Sequence, residues 1–133
     1  MKNKLDLVIL CGGRGTRLGK LTTKTPKPLL KIKNIKFIEY LINFYKKFDI
    51  DQVFLLTGYK NSHFKTYNNT NVNFIKINCI TEKKPLGTGG AVLNLKSKLK
   101  KNFLLINGDS FFNYNFPKFT ENFNNTNDIC KML

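Results

Sequence analysis

The chain has 133 residues, 41% of them hydrophobic and 13% aromatic, which suits one domain with one core and is too apolar for a disordered chain. Three cysteines without paired spacing exclude a disulfide scaffold and a zinc ribbon; no apolar run reaches the roughly 20 residues of a membrane span and no signal-like leader is present, so the expectation is a reduced, cytoplasmic protein. A formal charge of +15 suggests a nucleic-acid binder, but 21 of the 23 cations are lysines dispersed along the chain, the pattern of a solvated surface more than of a phosphate-tracking face.

Leu5–Leu10 (LDLVIL) is a nearly continuous apolar run stopped by glycines and predicts a buried parallel strand. Residues 11–20 (CGGRGTRLGK) form a loop. Thr25–Leu29 (TPKPL) is expected to be extended, because a proline biases the residue before it away from helix. Residues 35–48 place apolar side chains at 35, 38, 41, 42, 45 and 48, the spacing of an amphipathic helix. Residues 52–57 (QVFLLT) predict a second buried strand, 61–67 a short helix, and 72–77 (VNFIKI) one alternating strand. A second glycine loop spans 81–90. A helix over 88–99 would carry Ala91, Val92, Leu95 and Leu99 on one face, and 102–106 (NFLLI) predicts a fourth strand before Asn107-Gly108-Asp109. Residues 119–133 are Asn-rich and are expected to be a weakly structured tail of this single α/β domain. Strands alternating with helical segments imply a mostly parallel sheet flanked by helices, with ligands bound beyond the carboxyl ends of its strands.

The loop after the first strand holds Gly12, Gly13 and Gly15 with both arginines of the chain, Arg14 and Arg17. Glycines let backbone N–H groups approach a phosphate, and arginine grips it with a planar fork that lysine cannot copy. Two familiar phosphate motifs fail. A dinucleotide fingerprint on Gly13 and Gly15 needs glycine where Leu18 stands; a Walker loop ending at Gly19-Lys20 needs glycine and Ser/Thr where Arg14 and Leu21 stand. Lys27 lies between Pro26 and Pro28, a stiff mount for a cation facing phosphate, or an ordinary surface lysine in a proline turn. Asp109, at a strand end, could hold Mg²⁺ against a triphosphate, or cap a turn.

In order, LCGGRGTRL, TPKPLL, Glu82-x-x-Pro-Leu-Gly-Thr-Gly-Gly-Ala and Asn107-Gly108-Asp109 resemble the sugar-phosphate nucleotidyltransferases, above all bacterial guanylyltransferases of heptose 1-phosphate and mannose 1-phosphate. The resemblance implies a Rossmann-like fold. It also implies Mg²⁺-dependent transfer of a nucleoside monophosphate from its triphosphate to a sugar 1-phosphate, with pyrophosphate released. By this resemblance Leu10, Gly12, Gly13, Gly15 and Thr16 would line the nucleotide. Arg17 would hold the leaving pyrophosphate, Lys27 the phosphates at the reacting centre, Asp109 the metal, and Glu82 and Gly87 the base, with Thr88 also binding the nucleotide. Guanine offers two adjacent donors, N1–H and the N2 amino group, to an acceptor-only carboxylate, so Glu82 favours GTP if it faces the base rather than the sugar or solvent. The family pattern is lost after Phe116, so the sugar-binding part and a second metal-binding Asp are expected to be missing. The runner-up reading is a nucleotide-binding remnant without turnover.

Overall fold

In this computed structural model, residues 4–100, 102–121, 123 and 129–132 are described. The elements run β1 (Leu5–Leu10), α1 (Lys20–Lys24), β2 (Lys31–Ile32), β3 (Ile35–Lys36), α2 (Phe37–Tyr45), β4 (Ile50–Thr57), β5 (Thr70–Val72), β6 (Ile75–Thr81), α3 (Gly87–Leu93), β7 (Phe103–Asn107) and α4 (Phe116–Thr120). Short 3-10 turns cover Thr16–Leu18, Lys27–Leu29, Lys46–Phe48 and Asn61–Tyr67. Five strands make one sheet in the order β5-β6-β4-β1-β7, parallel except for β5, as the alternation of strands and helices predicts.

Successive side chains of a strand point to opposite faces, and β1 is apolar on both. Leu7 and Ile9 pack with Val53, Leu55 and Ile77 beneath Ile38, Leu41 and Ile42 of α2. Val8 packs with Phe54, Leu56, Ala91 and Leu95 on the α3 side. Burying a Leu or Ile side chain contributes about 1.5–3 kcal/mol, so the helical spacing of residues 38, 41, 42 and 45 is what fixes α2 to the sheet. The crossovers from β1 to β4 and from β6 to β7 carry α2 and α3 on opposite faces. The strand order therefore reverses between β1 and β7, and a crevice opens there at the carboxyl edge.

Several expectations are corrected locally. The strand expected over 72–77 is a hairpin. Asn73 and Phe74 take φ of 49° and 70° between the paired Val72 and Ile75, a two-residue turn whose twist matches its strands. The segment expected to be extended over Thr25–Leu29 is extended through Pro26 and then closes into a turn, with the Leu29 N–H donating to the Pro26 carbonyl at 2.9 Å. The helix expected from residue 35 begins at Phe37, because Ile35–Lys36 pair with Lys31–Ile32. The helix expected over 88–99 is regular only to Leu93; it continues as turns in which Leu99 N–H donates to Leu95, and Leu95 stays buried. Residues 116–120 form α4, seated by buried Phe116 against Tyr45 and Phe48 with ring centroids 6.2 and 4.5 Å away. Within the expected tail, residues 122, 124–128 and 133 lie outside the described residues.

Candidate active site

The parallel strands end side by side. Leu10 pairs with Leu56 and Asn107, and Thr57 with Thr81. The next residues along the chain, Cys11-Gly12, Gly58, Glu82 and Gly108, therefore share one edge of the sheet.

On the β4–β6 side, Gly12, Gly58 and Glu82 converge. A Cβ on Gly12 would lie 3.6 Å from the Gly58 nitrogen and 3.7 Å from Glu82 Oε2; one on Gly58 would lie 3.4 Å from the Gly12 Cα. The backbone holds this approach: Tyr59 N–H donates to the Gly12 carbonyl at 3.3 Å and Glu82 N–H to the Thr57 carbonyl at 2.9 Å. Beneath, the Thr57 and Thr81 hydroxyls are 3.0 Å apart and share a hydrogen bond. Glu82 Oε1 is buried and has no hydrogen-bond partner among the described residues. A buried acceptor left unpaired costs about 1–3 kcal/mol, so this oxygen is set to receive a donor from outside the chain.

On the β1–β7 side, Lys27 and Asp109 meet although 82 positions apart, with Nζ 2.9 Å from Oδ2. Gly108 makes the meeting possible. It is buried, its N–H donates to the Leu10 carbonyl at 2.9 Å, and a Cβ there would lie 2.7 Å from the Leu10 oxygen and 3.2 Å from Pro28 Cγ. The hydrogen bond from Lys27, helped by one from the Ser110 hydroxyl, holds the Asp109 carboxyl below the ordinary carboxylate range against the opposing effect of partial burial.

The glycine loop bridges the two clusters. Gly15 takes φ of 62°, and a Cβ there would lie 3.0 Å from Thr22 Cγ2 and 3.3 Å from Lys27 Cβ. The Thr22 hydroxyl donates to the Gly15 carbonyl at 2.9 Å. Thr16 and Arg17 follow in an exposed 3-10 turn, and Arg14 and Gly13 are also exposed, with open space around Gly13. Lys60 Nζ donates to the Thr23 carbonyl and so ties the β4 exit to α1. Gly87, at φ 70°, and Thr88 open α3 on an exposed surface. Among the described residues no hydrogen bond joins them to Glu82 or to the glycine loop. Cys11 is buried beneath the loop, and burial raises its thiol far above its usual range, which suits packing rather than chemistry.

Four contributors were not singled out in the sequence. Gly58 directly follows the second apolar run in the sequence. Thr22, the Thr57–Thr81 pair and Lys60 carried no signal, because their roles depend on contacts between distant segments.

Among the described residues no three His, Cys, Asp or Glu side chains group as metal ligands. Magnesium does not need such a cage; it takes one or two carboxylates plus phosphate oxygens. Asp109, held as a carboxylate at the strand edge, fits the part of a single anchor.

Comparison with known proteins gives a consistent result. A family model described as nucleotidyl transferase matches residues 7–133, so the likeness continues past the Phe116 at which the motif pattern was lost. The D-glycero-alpha-D-manno-heptose 1-phosphate guanylyltransferase of Aneurinibacillus thermoaerophilus is 38% identical over 118 residues, 88% of this chain and 51% of the relative. The mannose-1-phosphate guanylyltransferase of Mycobacterium tuberculosis is 36% identical over 109 residues, 80% of this chain and 30% of that protein. The crystal structure of HddC from Yersinia pseudotuberculosis complexed with GMP-PN superposes with a TM-score of 0.77 at 33% identity, over 88% of this chain and 53% of that one. The chain thus spans about half the length of the first and third of these, and less of the second.

Proposed function

The chain belongs to the nucleotidyl transferase family, and from that premise we propose that it binds a nucleoside triphosphate, GTP by preference, and that the whole protein transfers GMP to a sugar 1-phosphate with release of pyrophosphate. One observation carries the preference for guanine. Among the described residues Glu82 Oε1 is buried without a partner, beside the close approach of Gly12 and Gly58. Guanine supplies N1–H and N2–H donors together, which is what an unpaired carboxylate needs, whereas uracil and thymine present carbonyls and would be repelled. The GMP-PN bound to the Yersinia relative supports the same reading.

In this mechanism the chain supplies position and charge. The sugar phosphate oxygen attacks the α-phosphorus, the bond to the bridging oxygen of the β-phosphate breaks, and pyrophosphate leaves with that electron pair. No protein nucleophile is needed, and phosphoryl transfer depends mainly on alignment and on neutralising charge that shifts to the leaving group. Backbone N–H groups of Gly12, Gly13 and Gly15, with Leu10 and Thr16 at the loop ends, would line the nucleotide, and Gly87 and Thr88 would close its base side. Arg17 would grip the leaving pyrophosphate in a bidentate way. Lys27, aimed by its bond to Asp109, would face the phosphates at the reacting centre. Asp109 would hold magnesium, which when bound would supply further positive charge to the reacting phosphates.

The test is thermal melting with Mg²⁺ and each of GTP, ATP, CTP and UTP. A ligand at 100 times its Kd stabilises the fold by about 2.7 kcal/mol. GTP should raise the midpoint most, and Arg17→Ala should lose most of the rise. No rise with any nucleotide would overturn the reading. Pyrophosphate release from GTP and a heptose or mannose 1-phosphate then separates a working transferase from a module that binds without turnover.

A further inference from the structure

We propose that Ser110 is a positioning residue for the metal on Asp109, and that Lys27 withholds the same carboxylate from a free divalent cation, so that the metal enters with the nucleotide. This rests on the reading of Asp109 as the metal anchor, but not on the choice of base.

Both oxygens of the Asp109 carboxylate are engaged. Lys27 Nζ donates to Oδ2 at 2.9 Å, and the Ser110 hydroxyl donates to Oδ1 at 3.1 Å. The two donors are mounted differently. Lys27 comes from a distant segment whose backbone is fixed on both sides of it. Leu29 N–H donates to the Pro26 carbonyl and Leu30 N–H to the Lys27 carbonyl, and Pro28 and Leu29 are buried. Its long stem can turn its charge to another partner while that backbone stays in place. Ser110 is the next residue after Asp109, and the turn that carries both is pinned by the Gly108 N–H on the Leu10 carbonyl. Ser110 therefore stays beside the carboxylate whatever Lys27 does.

Charge decides what the pair admits. Lys27 and Asp109 together carry no net charge, and among the described residues neither makes another ion pair. A divalent cation arriving alone meets an ammonium already seated on the carboxylate, and a cation so placed lowers the carboxylate's affinity for any other, as it does for a proton. A triphosphate changes the balance. It offers Lys27 a more highly charged partner in charge-assisted hydrogen bonds. It also brings the phosphate oxygens that magnesium shares with one or two carboxylates. Lys27 is drawn from Asp109 as the metal's other ligands arrive.

Ser110 has the complementary part. The Asp109 side chain is 42% exposed, so little packing would hold its carboxylate in one orientation once the lysine had left. The Ser110 hydroxyl is its other side-chain donor among the described residues and continues to hold Oδ1. Hydrogen bonds of this kind orient a ligating carboxylate, and their loss weakens metal binding.

The experiment titrates Mn²⁺, without nucleotide, into the full chain and its variants and follows the paramagnetic broadening of the Gly108 amide signal. In Lys27→Met the signal should fade at about tenfold or more lower Mn²⁺ than in wild type, tenfold being the least by which a close opposite charge changes a carboxylate's affinity for a proton. Adding Ser110→Ala to Lys27→Met should raise the Mn²⁺ required by about tenfold, the low end of the loss when a metal ligand's hydrogen-bond partner is removed. Ser110→Thr in the same background should keep the response of Lys27→Met. Equal responses of wild type and Lys27→Met, whether strong or absent, overturn the proposal. So does a response that Ser110→Ala leaves unchanged, or one that Ser110→Thr weakens as much as alanine does. Asp109→Asn in the Lys27→Met background tests the reading underneath: broadening that survives it places the metal elsewhere and removes Asp109 as the anchor. The titration contains no nucleotide, so none of these results depends on the melting rise with GTP.

Discussion

Replacing Glu82 by Gln should move the free protein and its nucleotide complex in opposite directions. In the free protein Oε1 is buried without a partner among the described residues, and an unpaired buried acceptor costs about 1–3 kcal/mol, more when charged. The amide keeps the shape and removes the charge. Recovering even about 1 kcal/mol raises the midpoint by roughly 3–5 °C for a chain of this size. In the complex the variant amide presents an NH₂ group where guanine also presents donors. Losing one hydrogen bond to a charged acceptor costs about 1.5–3 kcal/mol, so GTP should bind about 10- to 150-fold more weakly. ATP should change little, because adenine does not offer that pair of donors to the carboxylate. The assay is a melting curve of Glu82→Gln without nucleotide, followed by titration with GTP and with ATP. A lower midpoint in the free variant, or equal weakening of GTP and ATP, would refute the reasoning that Glu82 waits for guanine.

Gly108→Ala should cost about 1–3 kcal/mol by overpacking, because its Cβ would sit 2.7 Å from the Leu10 oxygen and 3.1 Å from Cys11 Sγ. Gly13→Ala, with nothing within 4 Å, should stay within about 0.5 kcal/mol; equal melting of the two variants would count against the close packing of the β1 and β7 exits. Lys27 keeps the Asp109 carboxyl below its ordinary range, so the pair's contribution is present above the unfolded carboxylate pKa and is lost as pH falls through the folded one. Wild type should therefore exceed Lys27→Met in stability near neutral pH and match it in acid; the gap is under about 1 kcal/mol, since both side chains are more than a third exposed, and a gap that persists in acid in urea unfolding would contradict the pairing. A thiol reagent at neutral pH should label exposed Cys130 first and half-buried Cys79, pushed up to about 11, slowly. Cys11 should react only on unfolding, and its rapid labelling in the native state would show that the glycine loop is not packed over it.

The parts of this molecule that were legible in the sequence are those whose cause is local. The buried residues of β1 and β4 make apolar runs, and the face of α2 repeats at helical spacing, so these elements show themselves without knowledge of their neighbours. The hairpin at Asn73-Phe74 was hidden for the converse reason. Such a turn normally displays Gly, Asn or Asp at both central positions, and here an aromatic residue takes φ of 70°. Helix α4 was hidden because what fixes it is Phe116 docking on Tyr45 and Phe48, a contact across some 70 positions of chain. The site divides along the same line. The glycines and arginines of the first loop announce a phosphate site by composition, but the Lys27–Asp109 pair and the Gly12–Gly58–Glu82 cluster exist only because β1, β4, β6 and β7 end in register at one edge. Parallel pairing makes that edge unavoidable, since every strand that points the same way delivers its following loop to the same place. A substitution that shifted the register of β1 against β7 would therefore separate Lys27 from Asp109 without touching either, and the same shift would leave Glu82 and Gly12 together only if the pairing of β1 with β4 held. The Lys27–Asp109 pair thus depends on the pairing of β1 with β7 and the Gly12–Gly58–Glu82 cluster on the pairings of β4 with β1 and β6, so nucleotide discrimination and phosphate handling should be separable by mutation.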